Sequence, residues 1–106
     1  MNRMEQLIEQ VAGTCGVPVH RIKGQKRYGR QVSYAKMLFC WIAYDSYHIM
    51  HREISRFLEC PRENVYWLIP VAKNNLEYDK EFRGLYDELV ETQCLRLNHL
   101  GLNHEF

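Results

Sequence analysis

Residues 50–70 read MHREISRFLECPRENVYWLIP, and the fold turns on how this stretch is parsed. Met50, Ile54, Phe57 and Leu58 recur at helical spacing, which predicts a short helix of about two turns. Cys60-Pro61-Arg62-Glu63 then looks like a second helix start. Pro61 suits the first helical position, and Glu63 can interact with the positive end of the helix. The connection is therefore only Glu59 and Cys60, or slightly more. Two short helices joined so tightly have the form of a helix-turn-helix, whose second member normally enters the major groove of DNA. Pro70 is expected to kink or end that second helix, because it lacks a backbone donor and clashes with the preceding turn.

Working outward, helical periodicity continues on both sides. From Gln31 to Tyr44, Val32, Ala35, Leu38, Phe39 and Ile42 share one stripe that Met37, Cys40 and Trp41 widen. This predicts the central, most buried helix, with Lys36 projecting from its polar side. Met4, Leu7, Ile8, Val11 and Ala12 predict a first helix over about Arg3 to Ala12, stopped by Gly13 and Gly16. Val17 to Ile22 has room for a turn or two, and Asp45-Ser46-Tyr47-His48 reads as a break. Downstream, Asn74 and Asn75 are expected to separate the second short helix from a last long one. There Phe82, Leu85, Tyr86, Leu89 and Val90 repeat behind Asp79, a suitable N-cap. Nothing alternates with the period of a half-buried strand, so the expected class is all-α.

With 106 residues the chain suits one domain, expected over residues 1–96, followed by a tail at 97–106 in which Leu-Asn-His occurs twice. A hydrophobic content of 46% favours a folded globular protein, yet no apolar run has the length of a membrane span. The opening Met1-Asn2-Arg3-Met4-Glu5 leads into an amphipathic pattern, so a cytoplasmic location is expected. Cys15, Cys40, Cys60 and Cys94 are far apart and suit reduced core thiols.

Charge is uneven along the chain although the formal net charge is only +1. Between His20 and Lys36 lie Arg21, Lys23, Lys26, Arg27, Arg30 and Lys36, with no Asp or Glu. Gly24 and Gly29 among them give the segment the look of a mobile basic loop that could follow a phosphate backbone and release counterions. Residues 77–91 instead hold six carboxylates against Lys80 and Arg83. That acidic helix is expected to lie away from a bound polyanion, giving the domain a front and a back.

The order of helix, basic loop, central helix, helix-turn-helix and closing helix resembles the C-terminal DNA-binding domain of the bacterial replication initiator DnaA, including small stand-alone relatives of phages and mobile elements. The likeness spans roughly Met4 to Val90. Its best local match is Val32-Ser33-Tyr34-Ala35-Lys36-Met37-Leu38-Phe39, where the family usually carries Ala-Arg-Gln and Lys36 stands in for a phosphate-touching Arg. Arg52-Glu53-Ile54-Ser55-Arg56-Phe57-Leu58 is similar to the family's first helix of the helix-turn-helix. Tyr78-Asp79-Lys80-Glu81-Phe82-Arg83 is similar to the helix after recognition in the stand-alone members. The family's recognition helix opens Arg-Asp-His-Ser/Thr-Thr-Val; here Arg62, Glu63 and Asn64 match the first three with one extra residue in the turn, and Val65, Tyr66 and Trp67 differ. The resemblance implies duplex DNA as partner, with Lys23, Lys26, Arg27, Arg30 and Lys36 on phosphates and Arg62 and Asn64 reading bases. No Gly-x-x-x-x-Gly-Lys-Ser/Thr occurs in the chain, which leaves a replication-related or regulatory module without the ATPase, as a monomer or weak dimer.

Other groups carry less. Tyr66 and Trp67 could stack on bases, but aromatics within an amphipathic helix are more often core, and Trp67 reads as packing; an exposed Trp67 would instead favour a protein-interaction module built on the same fold, with Val65, Tyr66 and Trp67 on a partner. His48, His51, Cys60, His99 and His104 complete no recognised ligand spacing, so neither metal nor cofactor is expected. No nucleophile-base set or carboxylate pair stands out, and the chain is not expected to be an enzyme.

Overall fold

The computed structural model describes residues 2–24 and 29–99, with side chains through residue 92. Within them the chain forms α1 (Arg3–Cys15), α2 (Val19–Ile22), α3 (Arg30–Asp45), α4 (His51–Leu58), α5 (Arg62–Tyr78) and α6 (Lys80–His99), and no strand. The all-α class expected from periodicity is what the chain adopts. α6 runs to His99, and residues 100–106, most of the expected tail at 97–106, lie outside the described residues.

Each helix end has a local cause. Asn2 begins α1 with a capping box: the Glu5 N–H donates to Asn2 Oδ1 at 2.8 Å, and the Asn2 N–H donates to Glu5 Oε1 at 3.1 Å. Gly13 is carried inside that helix, which stops only at Gly16, whose φ of 71° suits a residue without Cβ. α3 is enclosed by α1, α2, α4 and α5, and it buries Tyr34, Ala35, Lys36 and Met37 consecutively, so its interior surface is wider than one stripe. Phe39, fully buried on α3, stacks on Phe57 of α4 with centroids 5.5 Å apart. α6 closes the core against α1 and α5 through buried Phe82 and Leu89.

Two expectations about residues 70–75 are corrected. Pro70 does not end the second helix, and Asn74 and Asn75 do not separate it from the next; all three lie inside α5. Leu68, Ile69 and Ala72 are buried around the proline, and packing on that scale outweighs a proline penalty of roughly 3 kcal/mol. Pro70 and Tyr66 are both exposed, so the Tyr66 carbonyl that lacks its usual donor lies on the solvated face. The chain turns instead at Asp79, with φ −115° and ψ 106°. Asp79 then caps α6 as expected, accepting from the Phe82 N–H at 3.1 Å on Oδ1.

Candidate nucleic-acid interface

α4 and α5 are joined by residues 59–61 alone. Glu59 takes a left-handed conformation with φ 59°, and its N–H donates to the carbonyls of Arg56 and Ser55. The Cys60 N–H follows onto the Ser55 carbonyl at 3.1 Å, and extended Pro61 leads into α5. Ile54 and Leu58 on α4 and Val65 and Leu68 on α5 are buried, which fixes the pair on the core and leaves their other faces outward. Arg62 is exposed at the first position of α5, and Asn64 is half-buried two residues on.

The start of the cationic segment is fastened to this pair. The Gly24 N–H donates to the Leu58 carbonyl, at the end of α4, at 2.6 Å. Lys23 Nζ stands 4.4 Å from the centroid of the Phe57 ring, a cation–π contact on the same helix. Lys36 completes the joint. Its Nζ donates to the carbonyls of Ile22 at 2.6 Å and Gly24 at 2.8 Å, from a residue only 3% exposed.

Lys36 therefore does not project from a polar side, and it is withdrawn from the expected phosphate contacts. Its charge is buried against α2 and the segment's backbone, where the two carbonyls satisfy it. Arg30 is exposed, but its Nη1 lies 2.7 Å from Glu81 Oε1 on α6. The first turn of the acidic helix thus sits beside the end of the basic segment, correcting the expectation that it would lie away. The cause is the packing of α6 on α3: Tyr34 and Phe82 rings meet at 5.3 Å, and the Tyr34 hydroxyl donates to Asp79 at 2.5 Å. That hydrogen bond and the Phe82 N–H hold the Asp79 carboxyl below its ordinary range. Lys26 and Arg27 lie outside the described residues.

A groove of about 460 Å³ opens between the start of α4 and the start of α5, lined by Met50, His51, Arg52, Glu53, Arg56, Arg62 and Tyr66. The His51 ring stacks on Tyr66 with centroids 4.2 Å apart and planes 16° from parallel, and Tyr44 approaches the other ring partner, His51, at 5.0 Å. Trp67 and Tyr66 are 48% and 54% exposed, which corrects the reading of Trp67 as packing. At the start of α5 the buried stripe falls on Val65, Leu68 and Ile69, leaving 66 and 67 outward. Sequence reasoning missed Arg52, Arg56 and the His51–Tyr66 stack. The one signal available was the i, i+4 spacing of Arg52 and Arg56, away from Ile54 and Leu58.

Among the described residues no group of three or more His, Cys, Asp or Glu side chains could hold a metal ion. The His99 side chain and His104 lie outside the described residues. Burial pushes the Cys15 thiol up to about 11, helped by Glu88, and burial also raises Cys60 against the opposing charge of Lys36. Neither thiol is activated toward thiolate chemistry. Among the described residues no helix is long and apolar enough to cross a membrane. No family model, no curated protein and no solved structure matches the chain.

Proposed function

We propose that this protein is a DNA-binding module that sets α4 and α5 on a duplex as a helix-turn-helix while the segment from Lys23 to Arg30 follows the phosphates. One observation supports the reading: the Gly24–Leu58 hydrogen bond, which ties the start of the cationic segment to the end of α4, next to the turn that leads into α5. Two modules so joined can act on one stretch of DNA, phosphate contacts setting position and α5 meeting base edges. Arg62 suits the two acceptors of guanine and Asn64 the donor-acceptor pair of adenine. Lys23, Lys26 and Arg27 take phosphates, joined by Arg30 when a phosphate replaces Glu81. Lys36 supports the segment's backbone instead. The resemblance to the DnaA C-terminal domain points the same way, toward a cytoplasmic replication-related or regulatory module.

Fluorescence anisotropy of a labelled random duplex across a salt series tests this. Four phosphate-bound cations give a slope of log K against log salt of about −3.5, and a Lys26/Arg27 double Ala variant should roughly halve it. A slope near zero would sink the reading. Salt-independent or absent binding would favour the second reading, a protein-interaction module, to which exposed Tyr66 and Trp67 on α5 lend support.

A further inference from the structure

Beside Arg62, which duplex reading places on a base edge, the groove between α4 and α5 holds His51, Arg52, Glu53, Arg56 and Tyr66, which duplex reading does not use. We infer that it binds one unpaired nucleotide, with the base on the Tyr66 ring and the phosphate among Arg52, Arg56 and Arg62. This deepens the DNA-binding reading and rests on it insofar as a DNA strand supplies the nucleotide.

Tyr66 is 54% exposed, yet its ring is not loose, because His51 backs one face at 4.2 Å. Tyr44 in turn stands against His51 at 5.0 Å. A ring already held in a stack loses little freedom when a base covers it, and every base has a π-face to offer. The cations come from two helices, and among the described residues none of Arg52, Arg56 and Arg62 is in an ion pair. Guanidinium forks match phosphate oxygens in pairs. Glu53 is the one acid lining the groove. A carboxylate is acceptor-only, so within the groove it suits the amino or imino N–H groups on a base edge. The groove's volume of about 460 Å³ lies in the range of small-molecule sites. A paired base keeps its faces inside the stack, so the occupant must be unpaired or extruded. A phosphoserine or phosphothreonine peptide would satisfy the arginines but leave the ring without a flat partner, and a phosphotyrosine peptide, which has one, is the competitor that the test includes.

The test compares three labelled duplexes by anisotropy with the whole chain at one salt concentration: fully paired, with one bulged adenosine, and with a bulged abasic residue. Free adenosine monophosphate is titrated separately by calorimetry. The bulged adenosine is expected to bind about ten-fold tighter than the abasic bulge. Tyr66→Ala should bring that ratio to about one, while Tyr66→Phe preserves it. Equal affinity for the two bulges overturns the inference, and leaves the DNA-binding reading intact if the paired duplex binds with a salt slope. Monophosphate binding lost in Tyr66→Ala, with no duplex binding at any salt, supports the site with a free nucleotide as its source and overturns the reading. Binding of neither DNA nor monophosphate overturns both, and capture of a phosphotyrosine peptide in place of any nucleotide overturns the inference.

Discussion

Lys36 donates its ammonium proton to the main-chain carbonyl of Ile22 at 2.6 Å, from a side chain that solvent barely reaches. A methionine there keeps the length of the side chain and removes the donor to two carbonyls. Lys36→Met is expected to lower stability by about 2–4 kcal/mol, measured by urea denaturation. The salt slope of DNA binding should be unchanged in the folded fraction. A slope shallower by about one unit with stability intact would return Lys36 to the phosphate contacts.

The Tyr34–Asp79 hydrogen bond is expected to contribute to the pH dependence of stability on both the acid and the alkaline side. Asp79 is held below its ordinary value of 3.8 by the Tyr34 hydroxyl and then by the Phe82 N–H, so its contribution is complete above 3.8 and lost as pH falls through the folded value. Burial and then Asp79 push Tyr34 from 10.0 up to about 12, so its contribution is complete below 10.0 and lost as pH rises toward 12. Cys15, raised from 9.0 to about 11, adds to the alkaline loss. Thermal melts should therefore show a plateau from about pH 5 to 9 with decline on both sides. Tyr34→Phe should soften both limbs, and unchanged limbs in that variant would exclude the bond as their source.

Pro70 sits in the interior of α5 on its exposed face. Pro70→Ala restores a donor for the Tyr66 carbonyl and is expected to stabilise the protein by about 1–2 kcal/mol, after allowing for the freer unfolded chain. A lower denaturation midpoint would show that the proline ring makes packing contacts worth more than the hydrogen bond.

Glu81→Gln releases Arg30 from its 2.7 Å ion pair. Both partners are largely exposed, so stability should change by less than about 0.5 kcal/mol. Duplex affinity at low salt should rise about two- to three-fold, because one carboxylate is lost near the phosphates and Arg30 is freed for them. Unchanged or weaker binding would remove Arg30 from the interface.

How much of this was legible in the sequence differs from residue to residue. The starts of α4 and α5 could be read to within a residue from apolar spacing and Pro61, although Pro61 is the extended N-cap and not the first helical residue, and Asp79 announced the start of α6 by residue type. Pro70 misled because a local penalty of about 3 kcal/mol is visible in sequence, whereas the burial of Leu68, Ile69 and Ala72 that overrides it is not. Lys36 misled for a related reason. Periodicity assigns a helix one buried face, but α3 has helices around it, and position 36 points at the backbone of residues 22–24. Trp67 was read by its hydrophobicity, although the register of Val65 and Leu68 leaves it outward. Beyond the i, i+4 spacing of Arg52 and Arg56 the groove has no signal in the sequence, because these two meet Arg62 and Tyr66 only when residues 59–61 fold the two helices together.

The Tyr34–Asp79 bond joins residues 45 apart in the chain, whereas Gly24 and Lys36 meet across 12. Long loops cost more entropy to close and slow the contacts that need them. The loop-to-α3 joint should therefore form early, and the docking of α6 on α1 and α3 should be the last event of folding. By reversal it should be the first to open. In native-state hydrogen exchange, the amides of α6 should then exchange through a partial opening that leaves α3, α4 and α5 protected, so that the joint supporting the candidate DNA face outlasts the helix that closes the core.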